Sequence, residues 1–214
     1  MRFDEVPKPP AVEARPRGPR GYPVPAITPW VDRQPQFALT DYERSANCAR
    51  RRLCSVCGTF IPRGPVWRVV GATETGAIAE ALAAGRPYRN LAPTPEGPGH
   101  RSCMLYASMV CPYLARPNAR RGLAAEQPDD LTAHVVRGAA RGASGAVAGF
   151  AEYEFAITAT RTLFRFLDVV EFLPHDLSDV HLAELRRELA ASVSPEGEPP
   201  PPVASGGGPA QDGR

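Results

Sequence analysis

Four residues have types and spacings suited to metal chemistry. Cys54 and Cys57 stand two residues apart and are followed by Gly58. In such a turn both thiolates reach one ion, and glycine tolerates the positive φ of the tight return. His100 and Cys103 lie three apart where the pattern predicts a helix start, which places both on one face of its first turn. Free backbone N–H groups at that end favour a thiolate at Cys103. Together they form a Cys3His set, the composition of a closed structural zinc site, Zn(2+) suiting sulfur better than calcium or magnesium would. A knuckle followed by a helix whose opening turn supplies the second pair is the order of a treble-clef zinc finger. The 42 residues between Cys57 and His100 then hold a strand region plus an insertion.

The remaining sulfur and imidazole groups fall into no such pattern. Cys111 lies eight residues beyond Cys103, about 12 Å along a helix, too far to share the ion. Cys48 falls more than a turn before Cys54 and is the replacement ligand should one of the four be wrong. Otherwise both read as packed thiols. A zinc deaminase needs H-x-E followed by P-C-x-x-C; here no His precedes Glu at that spacing, and Leu53 stands before Cys54. The alternative reading is an enzyme, a metal-dependent nuclease or other hydrolase on a treble-clef scaffold. It would draw on His134, His175 and His181, or on a Cys111–His134 pair, which are scattered residues without a shared motif. No catalytic residue is assigned, and the expectation is against an enzyme.

The elements that must position these residues follow from pattern. Asp41 to Arg52 predicts a short helix capped by Thr40 or Asp41, and Val66–Val70 a strand. Ala77–Ala84 predicts a helix stopped by Gly85 and Pro87. A Pro/Gly loop leads into a helix from His100 to Val110, closed by Pro112. Leu131–Val136 and Phe150–Thr160 read as strands, the second with Tyr153, Phe155 and Ile157 on one side, and Leu163–Leu173 reads as a strand or a helix. Asp179–Ala191 reads as a helix capped by Ser178, with Leu182, Leu185 and Leu189 as its apolar stripe. The fold class is α+β.

Trp30-Val31-Asp32 with Pro35 and Phe37, the knuckle Cys54/Cys57/Gly58, and His100-x-x-Cys103-x-x-Tyr106 running to Cys111-Pro112-Tyr113-Leu114 and Arg116-Pro117 resemble a known pattern. It is that of an uncharacterised family of small zinc-binding proteins from GC-rich bacteria and their phages. The resemblance spans Tyr22 to Arg121, with a poor match from Thr73 to Pro98. It implies a shared ligand set and carries over no activity.

Composition sets the outer limits. The 25 Pro and 19 Gly cluster at the two ends, which cannot bury enough apolar surface to offset ordering entropy. The expected organisation is a disordered tail over 1–20, a treble-clef-like zinc domain over 21–121, an α+β strand–strand–helix unit over 122–192 and a second disordered tail over 193–214. The net charge of +2 selects no strongly charged partner, and Lys8 is the only lysine, an Arg bias that matches a GC-rich genome. Arg50, Arg51, Arg52, Arg116, Arg120 and Arg121 flank the ligand segments and would form a weak basic face. The expected role is therefore a non-enzymatic module contacting a protein or nucleic acid. No apolar leader or bilayer-length segment is read, so the expected compartment is the cytoplasm, without membrane contact, where five cysteines are ligands or buried thiols rather than disulfides.

Overall fold

In the computed structural model the described residues are 5–90, 93–111, 114, 144–176 and 178–193. The elements run α1 (Pro10–Glu13), β1 (Trp30–Val31), β2 (Gln34–Pro35), α2 (Tyr42–Arg51), β3 (Val66–Gly71), α3 (Ala72–Ala83), α4 (Arg101–Val110), β4 (Gly145–Ile157), β5 (Thr162–His175) and α5 (Asp179–Val193). The chain is mixed α/β, with one two-stranded and one three-stranded antiparallel sheet. The expected strand over Leu131–Val136 and, apart from Val193 at the end of α5, the expected tail over 193–214 lie outside the described residues. Among the described residues, no helix is long and apolar enough to cross a membrane.

The larger sheet has the order β3-β4-β5, so strands from either side of residue 121 share hydrogen bonds. Val66 pairs with Phe150 and Gly71 with Gly145. Alternation along β3 sends Arg68 and Trp67 to opposite faces. Arg68 is buried, lies over the Phe166 ring and pairs with Glu74 of α3, while Glu96 takes its other branch at 3.3 Å. Trp67 reaches Glu171 of β5, which also holds Arg101 of α4. Helices thus cover both faces. The buried core joins Val66, Val70 and Ile78 to Leu105, Met109, Phe150, Phe166, Leu185 and Leu189.

Residues 5–20 depart from the expected first tail, whose residues 1–4 lie outside the described residues. Residues 5–20 are ordered against the body: Val6 and Val12 are buried in the core. Pro10 opens α1 at the first helical position, where a missing N–H costs nothing. Arg186 of α5 donates to the Glu5 carbonyl at 3.0 Å, and further along Ala26 N–H donates to Val56 O at 2.9 Å. This segment therefore runs from the last helix to the knuckle. Proline content suggested solvation there, but two well-placed valines and a proline-tolerant helix start outweigh it.

Two boundaries also move. Helix α3 begins at Ala72 rather than Ala77, with the Thr75 hydroxyl donating to the Gly71 carbonyl at 2.9 Å. Strand β4 begins at Gly145, and its residues Gly145–Phe150 are all buried, which removes the polar alternation that would have advertised it.

Candidate metal centre

Helix α2 starts as its sequence requires, with the Asp41 carboxylate accepting from Arg44 N–H at 3.0 Å. It ends on Arg52, whose backbone is left-handed at φ 51°. From there the chain enters a tight hairpin. Leu53 bridges Phe60, Cys54 N–H donates to Thr59 O at 2.8 Å, and Gly58 N–H donates to Cys54 O at 2.8 Å. Gly58 has φ 81°, the conformation expected of the glycine after the second thiol. The Cys57 N–H points at Cys54 Sγ, 3.5 Å away.

The second pair arrives on a loop fixed to this hairpin. Ser55 donates from its backbone N–H to Pro98 O at 2.9 Å and from its hydroxyl to Gly97 O at 3.1 Å. Gly99 exchanges both main-chain hydrogen bonds with Trp67 of β3, at 2.9 and 3.0 Å. A Cβ on Gly99 would lie 2.4 Å from Met104 Cε and 3.2 Å from Cys54 Sγ, so this close approach needs glycine. His100 then caps α4 in an extended conformation, and Cys103 lies in the first turn.

The ligand atoms of Cys54, Cys57, His100 and Cys103 all lie within 4.8 Å of one another. Bond lengths of about 2.3 Å to sulfur and about 2.0 Å to nitrogen put donors around a tetrahedral ion roughly 3.5 to 3.8 Å apart. His100 Nδ1 is 3.4 Å from Cys57 Sγ and 3.8 Å from Cys103 Sγ. Its other nitrogen, Nε2, lies 2.9 Å from the Phe60 carbonyl, so Nε2 carries the proton and Nδ1 is left to bind. All three cysteines are buried and His100 is half-buried. The group can hold one metal ion.

Charge is managed within the group. Hydrogen bonds from Cys103, Cys54 and His100 hold Cys57 well below the ordinary thiol range, and Thr59 Oγ1 is 3.1 Å away. Burial works against charging the His100 ring, but Cys54 and Cys57 outweigh it and lift the ring to about 10. A metal entering here must displace protons, so its retention weakens as pH falls.

The other candidate residues lie apart. Cys48 is buried on α2, where burial and the neighbouring sulfurs push it up to about 11, and it stands outside the four-residue group, as does Cys111. His175 is buried at the end of β5. His181 lies in the first turn of α5, with Asp176 Oδ1 at 2.7 Å from Nδ1 and Ser178 Oγ at 3.3 Å. His134, Arg116, Arg120 and Arg121 fall outside the described residues. Arg50 and Arg51 are exposed, whereas Arg52 is turned inward, donating to Ile61 O, Pro62 O and Gly64 O beneath the Tyr153 ring.

Sequence reasoning missed Arg15, whose Nε donates to Val24 O at 2.9 Å. A Cβ on Gly58 would lie 3.6 Å from its Nη1, so the guanidinium rests against the knuckle. Nothing in the spacing marks this residue. The result is a mixed α/β protein whose Cys/His cluster joins a knuckle to a helix start. No protein-family model, curated protein or solved structure matches the chain.

Proposed function

We propose that the protein is a zinc-clasped, treble-clef-like interaction module in which the metal is structural and the role is non-enzymatic. The observation that carries this reading is the closed donor set, three buried thiols and one half-buried imidazole within 4.8 Å of one another. Three thiolates and an imidazole suit zinc, and four protein ligands leave no open position for a substrate or an activated water. Support for the treble-clef order comes from Gly99, which pairs with Trp67 of β3 directly before α4. Knuckle, short hairpin and ligand helix then follow in sequence, with α3 and the loop after it as the insertion.

A protein partner is favoured over nucleic acid by the side chains at this end of the molecule. Phe60, beside the knuckle, is 59 % exposed, while Arg52 of the expected basic face is committed to main-chain carbonyls. An aromatic group left in water next to a rigid turn is a contact residue of the kind protein interfaces use. Titration with DNA at two salt concentrations tests the partner class. Absence of low-salt binding is expected, and salt-sensitive binding would reverse the preference.

Metal analysis of the purified protein tests the clasp itself. One zinc per chain is expected, with Cys57→Ser or Cys103→Ser losing it and becoming sensitive to protease. A wild type that stays folded without metal, alongside an equally folded Cys103→Ser, overturns the reading.

A further inference from the structure

The second residue of the metal pair's segment is not a ligand. Arg101 lies between His100 and Cys103, and its guanidinium is fully engaged by the far end of the chain. Nε donates to both Glu171 oxygens at 2.8 and 3.0 Å; Nη2 donates to Glu171 Oε1 at 2.5 Å and Glu188 Oε2 at 2.6 Å. Nη1 donates to Ser192 Oγ at 2.8 Å. Such a planar fork fixes orientation as well as charge.

Glu171 makes one more contact, and it lies on the other side of His100. Trp67 Nε1 donates to Glu171 Oε2 at 3.1 Å. The indole reaches across the sheet because Gly149 intervenes without a side chain; a Cβ there would lie 2.6 Å from Trp67 Nε1. The main chain of Trp67 in turn holds Gly99 by two hydrogen bonds. One carboxylate therefore fixes both neighbours of His100, Gly99 through Trp67 and Arg101 directly. Burial opposes ionisation of Glu171, and the bonds from Arg101 and Trp67 outweigh it, holding its carboxyl below the ordinary range.

We propose that Arg101 and Glu171 are positioning residues for the metal site, coupling the docking of α5 to retention of the ion. The proposal rests on the zinc reading above. The imidazole must keep Nδ1 on the ion while Nε2 keeps the Phe60 carbonyl, and its backbone is set by the residues that Glu171 brackets. Outer partners that orient ligands in this way are worth about 10- to 100-fold in metal affinity. Because coupling of two equilibria is reciprocal, the bound ion holds α5 in place to the same degree that α5 holds the ion.

The test is the rate at which zinc-loaded, full-length protein yields its metal to excess chelator. Glu171→Gln and Arg101→Ala are expected to release zinc about tenfold faster or more. Arg101→Lys should recover part of the loss, and Glu188→Gln stands in if Glu171→Gln does not fold. Cobalt-substituted Glu171→Gln should keep the sulfur-to-metal absorption of the wild type, showing an unchanged ligand set. Ile78→Ala, a buried apolar residue of α3 that takes no part in these hydrogen bonds, should lower Tm without changing the release rate. Release at the wild-type rate from Glu171→Gln and Arg101→Ala, or equal acceleration in Ile78→Ala, overturns the proposal. A wild type that takes up no zinc instead removes the parent reading, a distinct result.

Discussion

Around Cys54 and Cys57 the chain turns on main-chain hydrogen bonds and four polarisable side chains, entering through Arg52 at φ 51° and returning at Gly58 at φ 81°. On the aromatic side of the sheet the means are different. Phe150, Phe164 and Phe166 are wholly buried, and the Phe150 and Phe166 rings lie 5.0 Å apart. There the irregular position is Asp168, a non-glycine residue at φ 52° inside β5, beside the register shift at Gly149/Phe150. One region gathers donor groups that could hold an ion; the other fills its space with aromatic side-chain volume.

Removing the metal should separate the two most sharply. Binding energy at small zinc sites enters stability directly, on the order of 10 kcal/mol at neutral pH. Chelation should therefore raise hydrogen exchange in residues 53–61 and 97–104 well before it does so in β4 and β5. Uniform protection across both regions after chelation would erase the distinction. The next effect is the converse one. Phe166→Ala should cost about 3–5 kcal/mol by denaturant unfolding, yet the folded fraction should still carry one zinc. Loss of metal in step with stability would mean the aromatic region builds the site too.

Smaller changes sharpen the contrast. Gly99→Ala places a methyl against Met104 and Cys54 Sγ. It should cost about 1–3 kcal/mol and weaken metal retention together, and a change in neither would remove the close-approach argument. Smallest is Asp168→Gly, expected to raise the unfolding free energy by up to about 1 kcal/mol, and the midpoint with it, because the left-handed conformation penalises a side chain. A lower midpoint would place no strain at that position.

Much of the Cys/His cluster was legible because its signals are local. The Asp41 cap, the two-residue cysteine spacing with Gly58, and His100 and Cys103 within one turn are each set by a few neighbouring residues. What was not legible depends on distant partners. Gly145–Phe150 reads as a featureless small-residue run until β3 and β5 flank it, and only then is Gly149 seen to be a passage for the Trp67 indole. Val6 and Val12 are too sparse to form a pattern, so their burial appears only once α1 is placed. Nothing in the spacing marks Arg101, because its acceptors come from β5 and α5.

The pairing of Gly71 with Gly145 also bears on the order of assembly. Closing a long stretch of chain costs conformational entropy that must be met before the contacts at its ends are gained, which slows such steps. During synthesis the knuckle, its loop and α4 emerge while the neighbour of β3 is still unmade. The early chain would therefore present an unpaired strand edge, and an ion captured at that stage would keep the nascent half compact until its missing strands arrive.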